Sequence, residues 1–233
     1  MADRITLPFL GPVSIYSCSG REDRVHFGSP NPSRDAEARG WGWTVAHAAL
    51  TRLDNAQAAL DAAAIQRAEA FCVAAHCAVG QTRKGGTTPY WHHPFEVRDL
   101  LLKHVPSASQ EMLIAALLHD VIEDTAVSAE TVAQLFGDEV AALVVELTSV
   151  SRKEDGSRAV RKEIDRQHMA KASAAAKTIK LADVICNVST VEQVDPDFAR
   201  TYIPEKRKLL EVLVEGDATL YAVAAELLNK IGR

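Results

Sequence analysis

The sequence lacks an excess of positive charge, a long apolar run and closely paired cysteines. Its 233 residues contain 26 Lys and Arg against 31 Asp and Glu, a net charge of −5 that argues against a protein coating nucleic acid. No stretch of about 18 apolar residues is present, so we expect no membrane-spanning helix. None of the four cysteines forms a Cys-x-x-Cys pair, so a zinc ribbon or a thioredoxin-type motif is not supported.

Cysteine usage and the N-terminus bear on the compartment. Four cysteines in a chain of this length favour a reducing environment. The first residues carry no basic run, and Pro8 and Pro12 interrupt the apolar segment there. We therefore expect no signal peptide and a cytoplasmic location.

The patterns that are present are helical. Hydrophobic residues make up 47% and charged residues 24% of the chain, which is typical of a soluble globular protein. Ile65, Ala68, Cys72, Ala75 and Val79 share one face of a predicted helix, whereas long alternating strand patterns are almost absent. The sequence therefore predicts an all-α fold of about nine helices without an internal repeat.

The first 54 residues differ from the rest of the chain. They hold five of the twelve glycines and four of the nine prolines, and the segment 28–43 is rich in turn-forming residues. From Asp54 onward the sequence is rich in alanine and leucine with helical spacing. We expect a poorly structured extension over residues 1–54 and one helical domain over residues 55–233.

Serine, aspartate, proline and glycine mark the ends of several helices. Ser109 and Ser128 are predicted N-caps, Asp138 is predicted to cap the apolar run that follows it, and Pro94 suits the first turn of a helix. A helix in the centre of the chain is expected to stop before Asp195. The predicted helices include residues 94–104, 110–123, 174–191, 203–214 and 217–230.

One apolar helix carries a cluster of ionisable residues in the segment LLHDVIEDT. His119 and Glu123 are four residues apart, as are Asp120 and Asp124, so each pair stacks on one helix face. Burying such groups beside apolar neighbours is costly unless something compensates their charge. A divalent metal held by His119 and Asp120 is one compensation; a frayed helix end with solvated acids is the ordinary alternative.

Two further segments carry polar groups at suggestive positions. In TIKLADVICNVST the side chains of Lys180, Asp183, Asn187 and Thr190 form a polar stripe along one helix. In PYWHHP a histidine directly precedes the proline that starts a helix, and His93 is a candidate metal ligand there. Taken singly, these segments also fit an ordinary amphipathic helix and a surface turn.

The three segments together resemble the HD phosphohydrolase superfamily. More specifically, the sequence looks like the hydrolase domain of the RelA/SpoT alarmone enzymes and like the small alarmone hydrolases that include the metazoan SpoT homologue. The resemblance covers roughly residues 55–230. The stretches that carry it are TRKGGTTPYWHHP (82–94), AALLHDVIEDT (115–125), FGDEVAALVVELT (136–148) and IKLADVICNVST (179–190).

This resemblance implies a metal site and a substrate site. The implied ligands of a Mn²⁺ ion are His93, His119, Asp120 and Asp183. Two acidic residues match the pair that positions or activates the attacking water, namely Glu123 and Asp124. Residues that match or lie beside the family's nucleotide contacts are Arg83, Lys84, Lys180, Asn187 and Thr190.

The resemblance also implies an activity. It is hydrolysis of guanosine 3′,5′-bis(diphosphate), or of the pentaphosphate form, at the 3′ position to pyrophosphate and GDP or GTP. The stretch after residue 191 is shorter than the family's synthetase domain, so hydrolysis without synthesis is expected. A small nucleotide is the expected partner, with neither nucleic acid nor a membrane involved.

Two alternatives stay open at this point. One is another nucleotide phosphohydrolase on the same fold, acting on NADPH or on an adenosine alarmone. The other is a catalytically weak protein that acts as an alarmone-binding regulator. Both would share the metal site and differ in substrate contacts or turnover.

The sequence departs from the family at two basic positions beside the site. Val184 and Ser189 stand where the family usually carries positive charges. Residues 151–172 carry seven basic and four acidic side chains, and we hypothesise that this segment folds over the site and compensates. On that hypothesis, neutralising Arg161 and Lys162 together raises KM for a tetraphosphate substrate.

Overall fold

The computed structural model describes the backbone of residues 6–7, 11–12, 32–84 and 86–231, and the side chains of residues 50–84 and 86–231. Two strands, Thr6–Leu7 (β1) and Gly11–Pro12 (β2), pair antiparallel. The first six helices are Pro32–Ala78 (α1), His92–His104 (α2), Gln110–Leu118 (α3), Val121–Asp124 (α4), Ala129–Phe136 (α5) and Asp138–Leu147 (α6). The last four are Arg158–Ala170 (α7), Ala174–Val194 (α8), Pro196–Leu210 (α9) and Ala218–Lys230 (α10).

The predicted all-α fold is confirmed. The described part of the chain contains ten α-helices, against about nine expected. In this part no helix combines the length and the apolar character that crossing a bilayer requires.

Helix α1 extends further towards the N-terminus than the sequence predicts. Residues 32–54, expected to be poorly structured, are helical along their backbone, whereas residues 1–5, 8–10 and 13–31 of that extension lie outside the described residues. Pro32 stands at the first helical position, where its fixed φ suits a helix, and the alanine-rich run beyond residue 44 favours helix.

The chain divides into units 1–62 and 63–233, and the boundary at residue 54 stays a prediction.

The core of the unit 63–233 surrounds α8. This helix packs against α2, α3, α6, α9 and α10, and side chains from most of its faces are buried. Ile179 and Leu181 are fully buried within it. A helix enclosed in this way presents even its polar residues to neighbouring helices rather than to water. Asp183 therefore lies buried inside the packed unit, and Lys180 is half-buried beside it.

The sequence predicts one continuous helix from Gln110 to Glu123, and this prediction is wrong. The helix ends at Leu118 and a separate turn begins at Val121. The His119 ring donates from Nδ1 to the carbonyl oxygen of Ala116, at 2.7 Å. In an unbroken helix that carbonyl would accept the amide of Asp120, so the histidine side chain competes with the backbone at the break.

Side-chain caps define most of the other helix starts. The Ser109 and Ser128 side chains accept from the amides three residues on, as predicted. The prediction for Asp138 is wrong, because Gly137, with φ of 93°, is the N-cap and Asp138 is the first helical residue.

The start of α9 differs from the prediction. The sequence places a helix at 203–214, but α9 begins at Pro196 directly after α8. The Asp195 side chain accepts from the amide of Phe198 at 2.9 Å, and Pro196 occupies the first helical position. The Asp-Pro pair that ends α8 therefore also starts the next helix.

Gly216 provides a test of the packing between α8 and the turn before α10. A Cβ atom at residue 216 would lie 2.7 Å from Cδ1 of Leu181 and 3.1 Å from backbone atoms of Lys177 and Thr178. The backbone of a buried helix cannot yield easily, so Gly216→Ala is expected to destabilise the protein by about 1–3 kcal/mol. Thermal unfolding should show the loss, about 2–4 °C for each kcal/mol.

Gly86→Ala is the matched control for this packing prediction. The nearest atom to a Cβ at residue 86 is 3.8 Å away, so this variant should unfold within about 1 °C of the wild type. Equal unfolding temperatures for both variants would contradict the close approach at Gly216.

Candidate metal and substrate site

Three elements bring the four predicted metal ligands together. His93 lies in the first turn of α2, His119 and Asp120 lie between α3 and α4, and Asp183 lies in the middle of α8. Nε2 of His119 is 2.9 Å from Oδ2 of Asp120, and Nε2 of His93 is 3.1 Å from Oδ1 of Asp183. The two crossed His–Asp distances are both 3.9 Å. Residues that are far apart in sequence thus form one cluster.

The chemistry of this donor set fits a divalent cation. The Ala116 carbonyl accepts the proton that His119 carries on Nδ1, so Nε2 is the ring nitrogen that faces the cluster. That buried Nε2 atom has no hydrogen-bond partner among the described residues, although the Asp120 carboxylate is close. Ligand atoms of His93, His119 and Asp120 lie within 4.8 Å of one another, and Asp183 adjoins them. Two imidazoles beside two carboxylates require a positive charge between them.

Neighbouring groups hold the carboxylates ionised and oriented. Burial alone would raise the pKa of Asp183, but Lys180, whose Nζ is 2.8 Å from Oδ2, and the two histidines hold it well below its usual range. The Tyr90 hydroxyl donates to Oδ2 of Asp120 at 2.5 Å. Burial and the charge of Asp120 raise the pKa of Tyr90, so the hydroxyl keeps its proton. The sequence did not single out Tyr90, whose only signal is its place three residues before His93.

Two of the predicted substrate residues extend the cluster. Asn187 donates from Nδ2 to Oδ1 of Asp183 at 2.6 Å, one turn along α8. Arg83 donates from Nη1 to Oδ1 of Asn187 at 3.1 Å, which places the guanidinium beside the cluster. The structure therefore links the loop after α1 to α8 through the very pair that the resemblance associates with the nucleotide.

The two predicted acid–base residues have separate partners. Oε2 of Glu123 accepts from the amide of Ser149 at 3.0 Å, after α6. Oδ2 of Asp124 accepts from Nε2 of Gln81 at 2.8 Å, in the loop after α1. Burial raises the pKa of Asp124, and the charges of Asp120 and Glu123 add to this rise, although Gln81 opposes it. Gln81 is a site residue that the sequence did not reveal.

The remaining predicted substrate residues lie further from the cluster. Nζ of Lys84 is 2.8 Å from Oδ2 of Asp195 and 3.5 Å from the centroid of the Phe198 ring. Thr190 is exposed one turn beyond Asn187 on α8, so the structure does not bring it into the hydrogen-bonded group. Lys84 thus faces the start of α9 rather than the four-residue cluster.

A cavity of about 260 Å³ opens beside Lys180. It lies between the end of α6 and helices α7, α8 and α9, with Tyr202 in its lining. Its lining includes the basic side chains of Arg158, Lys162, Arg166, Lys180, Lys206 and Lys208. Three acidic residues also line it, namely Glu163, Asp165 and Glu205.

The basic side chains of this cavity are candidates to replace the two family charges that are absent at Val184 and Ser189. Val184 is fully buried in the core, where a basic side chain would have no water, and the Ser189 hydroxyl donates to the Ile185 carbonyl. Of the two residues hypothesised to compensate, Lys162 lines the cavity and Arg161 is not among its lining residues. The hypothesis is therefore corrected: Lys162 lines the cavity beside Lys180, and Arg161 does not.

The metal-free site should make protein stability depend on pH. Burial would lower the pKa of His119, but the carboxylates of Asp120 and Asp183 raise it to about 9, above about 6.5 for an unfolded histidine. The stabilisation, about 3 kcal/mol, is full below pH 6.5 and is lost as the pH rises through 9. Chemical unfolding of metal-free protein should therefore show its free energy falling between pH 7 and 10.

The same titration of protein saturated with Mn²⁺ is the comparison for this prediction. There the fall assigned to His119 should be absent, because the ion takes over the role of the proton. A flat free energy of unfolding for the metal-free protein from pH 7 to 10 would contradict the assigned ion pair.

Comparison with known proteins agrees with this fold. The family model described as HD domain matches residues 68–210, which is more than half of the chain. The chain belongs to the HD domain family. An HD domain implies a divalent metal ion, and three of the four clustered residues, His93, His119 and Asp120, form its candidate site here. The superfamily resemblance seen in the sequence is confirmed.

The chain is also similar to individual characterised proteins within this group. The chain is 40% identical over 105 residues to guanosine-3′,5′-bis(diphosphate) 3′-pyrophosphohydrolase MESH1 of Drosophila melanogaster, covering 45% of this chain and 57% of that protein. It is 33% identical over 138 residues to MESH1 of Xenopus tropicalis, covering 59% of this chain and 74% of that protein. The chain thus spans little more than half the length of the Drosophila protein.

A solved structure extends this similarity to three dimensions. It is described as a metazoan ortholog of SpoT that hydrolyzes ppGpp and plays a role in starvation responses. The match has a TM-score of 0.65 at 30% identity and covers 73% of this chain and 96% of that chain. The HD-domain fold predicted from the sequence is therefore confirmed.

Proposed function

We propose that this chain hydrolyses guanosine 3′,5′-bis(diphosphate) at its 3′ position. The products are pyrophosphate and GDP, or GTP from the pentaphosphate. Relatives at 33–40% identity bear the name of this activity. The observation that carries the proposal is the cluster of two imidazole nitrogens and two carboxylates beside Lys180, next to a cavity with basic side chains.

Mn²⁺ is the ion that we propose for the cluster, with His93, His119, Asp120 and Asp183 as its ligands. Imidazole and carboxylate together suit Mn²⁺, Fe²⁺ or Zn²⁺, and the choice of manganese carries over from the family resemblance. When bound, a divalent ion supplies polarisation of a phosphoryl group and a stronger nucleophile from water at neutral pH.

Glu123 and Asp124 are the proposed acid–base pair. The reaction breaks the bond between the ribose O3′ and phosphorus and adds the elements of water, so one proton leaves the attacking water and O3′ gains one. Burial raises the pKa of Asp124, which favours a carboxyl group that takes up and releases a proton during the reaction. To Glu123, whose carboxylate accepts from the Ser149 amide, we assign the task of orienting the water.

Cationic and amide groups are proposed to bind the phosphates and sugar. Lys180 and Arg83 would offset phosphate charge, and Asn187 would hold the Arg83 guanidinium in place. Lys84 and Thr190, which lie further out, are proposed contacts to the distal phosphate and the sugar.

A substitution of Lys206 tests whether the cavity binds the substrate phosphates that the metal cluster does not. Burial lowers the pKa of Lys206, and its Nζ is 4.8 Å from the Tyr202 ring centroid inside the lining. Lys206→Gln removes one cation from the cavity, so KM for the tetraphosphate should rise about tenfold with kcat changed less than about threefold. Steady-state kinetics measure both constants.

Lys171→Gln is the matched control for the cavity. Lys171 is exposed at the end of α7, outside the cavity lining, and its removal should leave KM unchanged. An unchanged KM for the Lys206 variant as well would argue that the phosphates lie elsewhere.

A substrate panel tests the proposed function against its alternatives. With Mn²⁺ present, kcat/KM is measured for guanosine tetraphosphate, its adenosine analogue and NADPH, with an Asp183→Asn preparation controlling for contaminating activity. We expect the guanosine compound to exceed the others by at least about tenfold. A preference for NADPH or the adenosine compound would indicate another phosphohydrolase, and binding without turnover would indicate a regulator.

The compartment proposed for this reaction is the cytoplasm. The cysteines in the described part of the chain, Cys72, Cys77 and Cys186, are free. Free thiols agree with the reducing environment expected from the sequence.

A further inference from the structure

Two side chains outside the metal cluster form a hydrogen-bonded chain that ends on Asp124. Nδ1 of His76, near the C-terminal end of α1, is 2.7 Å from Oε1 of Gln81. Nε2 of Gln81 donates to Oδ2 of Asp124 at 2.8 Å. A carboxylate only accepts, so the amide nitrogen of Gln81 must face Asp124 and its oxygen must face His76. His76 therefore donates from Nδ1, and the direction of the whole chain is fixed.

The backbone also holds Gln81 in one place. Gly80, with φ of 64°, ends the helix in a left-handed conformation that glycine adopts without strain. The Gln81 amide donates to the His76 carbonyl at 3.1 Å, and the Gln81 carbonyl accepts from the Tyr90 amide at 3.0 Å. The backbones of Gln81 and Tyr90 are thus hydrogen-bonded to each other. The Gln81 side chain donates to the Asp124 carboxylate, and the Tyr90 side chain donates to the Asp120 carboxylate.

The burial of His76 is costly for packing alone. The ring is fully buried, and its Nε2 atom has no partner among the described residues. An unpaired buried polar atom costs about 1–3 kcal/mol, so an apolar side chain of similar size would suit a purely structural place better. Asp124, in contrast, is partly shielded yet still open to solvent, and its carboxylate would sample several rotamers without a donor.

We propose that His76 and Gln81 are positioning residues for the reaction, which hold the Asp124 carboxylate in its working orientation. This inference rests on the proposed function, because it assigns a task to the proposed acid–base residue. Gln81 fixes the orientation of Asp124 directly, and His76 fixes the amide of Gln81 so that its nitrogen faces the carboxylate. Neither side chain touches substrate.

Gln81→Met tests the inference, because methionine keeps the length and volume of glutamine but offers no hydrogen bonds. We expect kcat for the guanosine tetraphosphate to fall at least about tenfold, with KM and bound Mn²⁺ within about twofold of the wild type. Gln134→Met, at an exposed position on α5, is the matched control and should leave kcat unchanged. His76→Phe should also lower kcat. If that variant fails to fold, the Gln81→Met variant still tests the inference, because Gln81 is only half-buried.

A double variant separates positioning from a general loss of structure. If Gln81 acts through Asp124, then Gln81→Met should add less than about twofold to the loss caused by Asp124→Asn alone. Multiplicative losses, or a Gln81→Met variant with full kcat beside an active wild type, would overturn the inference and leave the proposed function intact.

A crystal structure of the Gln81→Met variant decides the inference independently of turnover. We expect the Asp124 carboxylate to leave its wild-type rotamer while the four clustered residues stay in place. If the wild type released no pyrophosphate, the proposed function would fail, and the Asp124 rotamer would then decide alone. An unmoved carboxylate would overturn the inference.

Discussion

Replacing Asp183 by Asn is expected to lower kcat at least about a thousandfold, equivalent to about 4 kcal/mol of transition-state stabilisation. The amide keeps the shape of the side chain but removes the negative charge that faces His93 and Lys180. A neutral oxygen is a poor ligand for a divalent ion, and Lys180 loses the carboxylate that offsets its charge. Activity and metal content, measured on the same sample, should fall together.

Asp197→Asn is the matched control for this substitution. Asp197 is exposed near the start of α9, and its ion pair with Arg200, at 4.0 Å, is a surface contact. This variant should retain activity and Mn²⁺ within about twofold. An Asp183→Asn enzyme that keeps both its metal and its turnover would contradict the proposed ligand set.

Replacing Asp124 by Asn should lower kcat about a hundredfold or more while leaving the metal content unchanged. Asp124 lies outside the four clustered residues, and an amide there can still accept from Gln81 but cannot take up a proton. The dependence of kcat on pH should lose the limb that reports this carboxylate, whose pKa burial raises. Rate profiles from pH 5 to 9, with metal analysis at each end, measure both effects.

Loss of the ion together with activity would contradict this assignment, because Asp124 would then support the metal site rather than proton transfer. An unchanged kcat would leave Glu123 as the remaining acidic candidate, since its carboxylate is fixed by the Ser149 amide. The Asp197→Asn variant again serves as the control for a lost surface charge.

Local chemistry explains the parts of the fold that the sequence predicts correctly. The starts of α3 and α5 follow from serine caps at Ser109 and Ser128, because a cap depends only on the three residues after it. The segment that carries Asp183 is also predicted as helix, from its spacing alone. These features need no knowledge of the rest of the chain.

Features that depend on distant contacts, or on competition for one hydrogen-bond partner, were not predicted. The break at His119 arises because one side chain competes for the Ala116 carbonyl, which periodicity does not reveal. The role of Gln81 depends on the turn at Gly80 that aims it at Asp124, 43 residues along the chain. In α7, neighbouring residues point about 100° apart, so composition alone could not tell Lys162 from Arg161.

The clustering of the four candidate ligands lies between these two cases. The motif residues could be chosen because their sequence context matches a known family, yet the spacing itself did not require His93 to meet Asp183, 90 residues away. Their meeting depends on α2, α3 and α8 packing against one another, which is a property of the whole unit.

Product analysis with guanosine 3′,5′-bis(diphosphate) tests the central claim most directly. Purified protein is incubated with Mn²⁺ and the nucleotide, and the products are separated by anion exchange, with His119→Ala as the comparison. The proposal predicts equal amounts of GDP and pyrophosphate from the wild type and none from the variant. A wild type that binds Mn²⁺ but leaves the nucleotide intact, or equal turnover by the variant, would contradict it.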